Sequence, residues 1–242
     1  AQQVAAQQAV QGRPAFLIHG PPGTGKTTTV VEAIQQSAAL GEHILATADS
    51  NTAVDNLVAK LAEQDVSVLR IGNPARINQD LIPYSLDYKL QYEADYQRAQ
   101  QAWQTISTLK DQQGQFVPAN GQSRRGLRDN QIRELASAGK TSRGIPPGKI
   151  QSMARWLYLQ EQINEKAEEA LELEDQATRK VLNESTVVCA TNATAGAPVL
   201  ADYRFDTVAV DEATQSIEPA CLIPMMKGQR FIMAGDHQQL PP

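Results

Sequence analysis

The chain has 242 residues, 41% of them apolar, which is enough for one large domain or a domain with a sizeable insertion. Its 22 Lys/Arg against 27 Asp/Glu give a net charge of −5, which excludes a chain that is basic all over. No apolar run approaches the roughly 20 residues that span a bilayer, and residues 1–12 are polar and Gln-rich rather than basic and then apolar, so no membrane partner and no signal peptide are expected. Cys189 and Cys221 have no metal-ligand spacing around them and read as reduced thiols of a cytoplasmic protein, or a nuclear one in a eukaryote.

In chain order, residues 15–19 form a short apolar run that ends in Gly20-Pro21-Pro22-Gly23-Thr24-Gly25-Lys26-Thr27. Residues 26–40 follow a helical pattern with Gly41 as its stop. Residues 43–47 read as a strand, 52–63 as a helix with Ala53, Leu57 and Leu61 on its apolar face, and 66–71 as another strand. Strand and helix alternate, as they do in a parallel sheet covered by helices. The rhythm breaks near residue 86. Residues 86–112 and 148–182, rich in Gln, Glu, Ala and Leu, read as long helices around a Gly/Arg/Ser-rich basic stretch. Short apolar runs return at 185–190, 207–210 and 230–234. The expectation is an α/β domain with a parallel sheet, discontinuous over 1–85 and 183–242, interrupted at 86–182 by a mostly helical insertion far longer than an ordinary βα connection.

The segment 20–27 satisfies G-x-x-x-x-G-K-[S/T], and it follows a strand and opens a helix, as a phosphate-binding loop must. Gly20, Gly23 and Gly25 let backbone N–H groups turn onto phosphate oxygens. Pro21, Pro22 and Thr24 complete the loop, and the first helical turn, with Thr28, adds its dipole. Lys26 is expected on the β- and γ-phosphates of a nucleoside triphosphate, and the Thr27 hydroxyl on Mg²⁺. Asp211 and Glu212 end the apolar strand 207–210. Asp211 is expected to hold Mg²⁺ through its water shell, and Glu212 to orient and deprotonate an attacking water. Two carboxylates at a strand end are common by themselves; the upstream loop gives this pair its meaning.

Asp211-Glu212-Ala213-Thr214-Gln215 resembles the D-E-A-[S/T]-Q motif of superfamily 1 helicases of the up-frameshift, senataxin and immunoglobulin-mu-binding group. Four further segments are similar in order: 48–57, which in that group is a loop touching the single strand; 69–76; 191–196, like T-x-x-x-A-G; and 235–242, like G-D-x-x-Q-L-P-P. Asp49 departs from the Pro or small polar residue often found there. The resemblance covers about 1–85 and 183–242 and hardly the insertion. It implies the first RecA-like P-loop NTPase domain of a motor that binds ATP and Mg²⁺ and steps along single-stranded DNA or RNA. It also implies 5′-to-3′ polarity, a γ-phosphate-sensing Gln239, and an adenine-reading Gln3, or else Gln2.

Ser50, Asn51 and Thr191, short polar side chains at strand ends, are the candidate strand contacts; each also suits ordinary loop capping. Residues 120–156 carry eight Lys/Arg against Asp129 and Glu134, while 161–184 carry eight acidic residues. The basic stretch either lines the nucleic-acid path or pairs with the acidic helix. Tyr84, Tyr88, Tyr92 and Tyr96 fall at helical spacing, which favours packing over base stacking. His19 and His237 lie beside motifs without metal partners in the sequence and receive no catalytic role. The chain starts without Met and stops straight after a motif, so it reads as part of a longer protein whose second RecA-like domain supplies the arginine fingers. Two other readings are an ATP-dependent switch or remodeller that does not unwind, and a non-catalytic module whose helical hairpin docks a partner.

Overall fold

The computed structural model describes residues 2–11, 14–64 and 66–239. Six strands, β1 (Ala15–His19), β2 (Ile44–Ala48), β3 (Val68–Ile71), β4 (Val187–Thr191), β5 (Phe205–Val210) and β6 (Gly228–Gly235), form one sheet in the order β1-β6-β5-β2-β4-β3. Every pairing is parallel, with Ala48 beside Thr191 and Val210 beside Met233. Every residue of β2, β3 and β4 is buried, as expected of a parallel sheet covered on both faces.

The helices are α1 (Gln2–Val10), α2 (Lys26–Ala39), α3 (Asn51–Ala62), α4 (Leu86–Leu90), α5 (Ala94–Gln113), α6 (Gly121–Arg124), α7 (Asp129–Ser137), α8 (Pro147–Glu184) and α9 (Glu218–Met225). Val30 and Ile34 of α2, and Val54, Leu57, Val58 and Leu61 of α3, recur at three- and four-residue spacing and are fully buried in the same core as Ile44, Val187 and Ile232. Each such side chain contributes about 1.5–3 kcal/mol of burial. Ala6 and Ala9, one turn apart, bury the small-residue face of α1 in that core, and α1 packs on α2. Arg230 of β6 fastens this corner, binding Val10 O (3.0 Å), Ser37 Oγ (2.8 Å) and the Glu42 carboxylate. That contact anchors the C-terminal end of α1.

The chain divides into two compact units, Ala1–Tyr92 with Thr178–Pro242, and Glu93–Ala177. The sheet unit thus extends past residue 85 and resumes before 183. Ile77 and Leu81 enter the sheet core, and Lys89 Nζ of α4 donates to Val68 O at 2.7 Å. Ile77 lies between two 3₁₀ turns, Pro74–Arg76 and Gln79–Tyr84, and Leu81 within the second; neither turn carries a periodic signal.

The second unit is helical. Trp103 Nε1 of α5 donates to Glu174 Oε1 of α8 at 2.8 Å, and the Gln113 amide reaches Trp156 O and Gln160 Oε1. The basic stretch is folded on an apolar cluster of its own, Leu127, Ile132, Ile145, Ile150 and Met153. Arg133 pairs with Glu161 at 3.1 Å, and Arg124 with Asp129 at 3.0 Å. The four tyrosines do not share one helix: Tyr84 ends a 3₁₀ turn against the sheet core, Tyr88 lies in α4, Tyr92 follows it and Tyr96 lies in α5.

Candidate functional site

Because all six strands run parallel, their C-terminal ends lie along one edge of the sheet, where ligands of open α/β sheets bind. The loops there carry Gly20 after β1, Asp236 after β6, Asp211 after β5, Asp49 to Asn51 after β2 and Asn192 after β4. On the side of β1, β6 and β5 the edge is hollowed into a cavity of about 400 Å³. Lys26, Thr27, Thr28, Asp211, Glu212 and Gln239 all line it, with Pro22, Gly23 and Gly25.

The loop 20–25 is shaped by its glycines. Gly25, the N-cap of α2, has φ +80°. A Cβ there would lie 2.4 Å from Gln2 Nε2, so both the backbone and the space call for glycine. No side chain caps α2, which leaves its first N–H groups and the positive end of its dipole available to an anion. Lys26 Nζ donates to Gly20 O (2.6 Å) and Pro21 O (3.2 Å), which holds the ammonium against the loop. Gln2 Nε2 donates to Thr24 O at 2.8 Å. Gln3 is exposed and lies about 100° further round α1, so of the two glutamines it is Gln2 that reaches the loop.

Asp211 is 3% exposed at the end of β5, anchored by its N–H on Thr47 O. Glu212 takes a left-handed conformation, φ +52°, unusual for a side-chain-bearing residue and found preferentially at functional sites. Burial, and then the neighbouring Asp211 charge, raise its carboxyl above the ordinary glutamate range, with Lys26 acting the other way. Gln239 Oε1 accepts from Gln215 Nε2, and its Nε2 donates to Asp236 Oδ2, both at 3.2 Å. The Asp236 carboxyl is lowered, chiefly by the Gln238 N–H. Leu240, Pro241 and Pro242, which complete the motif around Gln239, lie outside the described residues.

His19 and His237 do meet a third donor: their nitrogens and the Asp236 carboxylate come within 4.8 Å of one another. The two rings are tilted, with centroids 4.7 Å apart and planes 34° apart.

The three candidate strand contacts lie at the ends of the neighbouring strands β2 and β4, and each already has a local task. Ser50 Oγ caps α3 by accepting from Ala53 N at 3.1 Å. Thr191 is 9% exposed, its hydroxyl 2.7 Å from that of Thr194 and accepting from Thr194 N. Asn51 Oδ1 accepts from Arg70 Nη2 at 2.9 Å. Arg70 is fully buried in β3 and also binds Asp55 Oδ1 (3.0 Å) and Ile71 O (2.6 Å), while Asp55 Oδ2 accepts from Asn78 N. Sequence reasoning missed this arginine. Its one visible signal is a charged residue inside an apolar strand run, at the end of which a turn begins.

The AAA domain family matches residues 1–242. An "uncharacterized ATP-dependent helicase" of Methanocaldococcus jannaschii is 42% identical over 244 residues, which is all of this chain and 37% of that protein. The DNA polymerase alpha-associated DNA helicase A of Schizosaccharomyces pombe is 34% identical over 93% of the chain and 29% of its own length. The DNA-binding protein SMUBP-2 of Mesocricetus auratus is 36% identical over 93% of the chain and 20% of its own length. The chain therefore spans between a fifth and two fifths of these relatives.

Proposed function

The chain belongs to this AAA domain family and, within it, to the superfamily 1 helicases of the up-frameshift-like group, and from that premise we propose that it is the ATP-binding motor domain of a nucleic-acid helicase or translocase. The observation that carries the reading is that Lys26, Thr27, Asp211, Glu212 and Gln239, drawn from three segments up to 213 residues apart, line one cavity. The donor set fits a metal–triphosphate. A hydroxyl (Thr27) and a carboxylate (Asp211) are hard oxygen donors suited to Mg²⁺, and the uncapped start of α2 suits phosphate.

In this reading ATP supplies the phosphoanhydride bond that is broken, and Mg²⁺ neutralises charge on its phosphates. Lys26 leaves its loop carbonyls for the phosphate oxygens. Glu212, with a carboxyl that holds its proton more tightly than an ordinary glutamate, orients the attacking water and accepts its proton. Gln239 answers the terminal phosphate and carries its state to Gln215. Gln2 takes the adenine-edge role that the sequence assigned to Gln3 or Gln2, since an amide offers that edge one donor and one acceptor.

The cations lining the cavity among the described residues are Lys26 and Lys60. The arginine that stabilises charge on the transferring phosphate is therefore proposed to come from a second RecA-like domain of the whole protein. Single-stranded nucleic acid is proposed to run along the ends of β2 and β4, past Ser50, Asn51 and Thr191. Among the described residues no helix is long and apolar enough to cross a membrane, and the cytoplasm or the nucleus is the proposed place of work. The test is a strand-displacement assay with the full-length protein on matched DNA and RNA substrates. ATP-dependent displacement lost in Lys26→Ala supports the motor reading. Displacement that survives the substitution refutes it, and nucleoprotein remodelling without displacement favours the switch.

A further inference from the structure

Ser216 directly follows Gln215, which lines the nucleotide cavity and bonds Gln239. The Ser216 hydroxyl donates to Asp49 Oδ1 at 2.8 Å, and Asn192 Nδ2 donates to the same hydroxyl at 2.7 Å. The directions are forced: a carboxylate only accepts, a hydroxyl has one proton to give, and so the asparagine must present its NH₂. Asp49 immediately precedes Ser50 and Asn51, and Asn192 immediately follows Thr191. One hydroxyl on the loop after β5 thus holds the two loops that carry all three candidate strand contacts.

The Ser216–Asn192 half of the link is shielded from water, at 8% and 1% exposed, while Asp49 is exposed. Bonds in such surroundings are stronger than at the surface, and losing one leaves buried groups without partners. Asn192 Oδ1 has no partner among the described residues, so its amide is held through Ser216. Asp49 stands where the resemblance has Pro or a small polar residue. The Asp49 carboxylate supplies an acceptor that a proline side chain lacks, so here the tie to Ser216 is made.

We propose that Ser216 is a positioning residue that couples the nucleotide cavity to the strand-contacting loops, through Asp49 on one side and Asn192 on the other. The inference rests on the reading of Ser50, Asn51 and Thr191 as strand contacts. A change at Gln239 moves Gln215, and its chain neighbour Ser216 transmits that movement to both loops together. The coupling appears as a ratio: strand affinity with nucleotide bound, divided by strand affinity without it.

The experiment measures that ratio by fluorescence anisotropy with labelled oligo(dT) and oligo(rU), with and without a non-hydrolysable ATP analogue and Mg²⁺. In the unsubstituted chain the analogue changes strand affinity by about 5- to 150-fold, the usual range of such couplings. Ser216→Ala and Asp49→Ala bring the ratio to within about twofold of one, while analogue affinity without strand stays as it was, and Asp49→Ala, at an exposed position, also keeps its thermal midpoint. Ser216→Thr and Asp49→Asn, which keep a hydroxyl and an acceptor, retain the ratio. A Ser216→Ala or Asp49→Ala protein with the full ratio overturns the inference, as does an unsubstituted chain that binds strand with no response to the analogue. Failure to bind either strand refutes the strand reading itself, and the coupling with it. Asp49 is exposed, so Asp49→Ala serves where Ser216→Ala does not fold.

Discussion

Replacing Arg70 with Met tests how far the buried network at β3 holds the strand-end loops. Arg70 is fully buried, and its guanidinium is shared among Asp55, Asn51 and Ile71 O. The Asp55 side chain is only 12% exposed. Methionine fills much of the volume but leaves the Asp55 carboxylate facing an apolar group, keeping only the Asn78 N–H. Breaking a buried ion pair by removing one partner costs about 3–5 kcal/mol. At about 2–4 °C per kcal/mol for a chain of this size, the midpoint of the sheet unit falls by about 6–20 °C. The assay is thermal and urea unfolding followed by far-UV circular dichroism. Arg98→Met is the control, because Arg98 forms a pair with Asp95 at the surface and such pairs contribute about 0–1 kcal/mol. The double substitution Arg70→Met/Asp55→Leu removes both charges and recovers most of the loss. If Arg70→Met shifts the midpoint no more than Arg98→Met does, the reasoning that Arg70 organises this corner is wrong.

Gly25→Ala places a side chain at φ +80° and 2.4 Å from Gln2 Nε2. The left-handed backbone alone costs about 1–2 kcal/mol, so titration with a fluorescent ATP analogue should give about 5- to 30-fold weaker binding; unchanged affinity would mean that the loop reshapes freely. Gln2→Ala is expected to narrow the preference for ATP over GTP and Gln3→Ala to leave it alone, measured by competition; the reverse pattern restores Gln3 as the adenine reader. The raised Glu212 carboxyl must lose its proton to act as a base, so the acid limb of kcat/KM for ATP lies above the ordinary glutamate value of about 4.3. A raised carboxyl pKa also favours the folded state at low pH, a contribution lost as pH rises through the folded value. Glu212→Gln therefore abolishes hydrolysis while making stability less dependent on pH over that window, and an acid limb at or below the ordinary value would sink the base assignment.

Much of the sheet could be read in advance because parallel strands buried on both faces are short apolar runs, and 15–19 and 207–210 are bounded by residues with chemistry of their own. Helix α9 escaped because Pro219 and Pro224 break the pattern by which helices are recognised, and Pro219 in fact sits in the first turn, where its missing N–H costs nothing. The 3₁₀ turns at 74–84 escaped for lack of a period. The basic stretch 120–156 looked like an open loop because Leu127, Ile132, Ile145 and Ile150 are too far apart to register as an apolar face until the chain folds back on itself. At the site, Lys26, Thr27, Thr28, Asp211 and Glu212, expected from their motifs, line the cavity, but so do Thr214 and Gln215, which had no expected role, while Gly20, Pro21 and Thr24 do not. Motif spacing could not separate Gln2 from Gln3, which depends on how α1 is rotated by Ala6, Ala9 and Arg230. Nor could it foresee Arg70–Asp55 or Ser216–Asp49, contacts across 15 and 167 residues that exist only once the strands are side by side.

The cavity at the ends of β1, β5 and β6 is proposed to be a Mg²⁺-dependent ATP site. Titration of the 242-residue chain with a fluorescent ATP analogue, with and without Mg²⁺, tests it most directly, with Lys26→Ala and Asp211→Asn beside the unsubstituted chain. The expected result is saturable binding that Mg²⁺ strengthens, loss of binding in Lys26→Ala, and loss of the Mg²⁺ effect in Asp211→Asn. Equal binding by the unsubstituted chain and Lys26→Ala would contradict it.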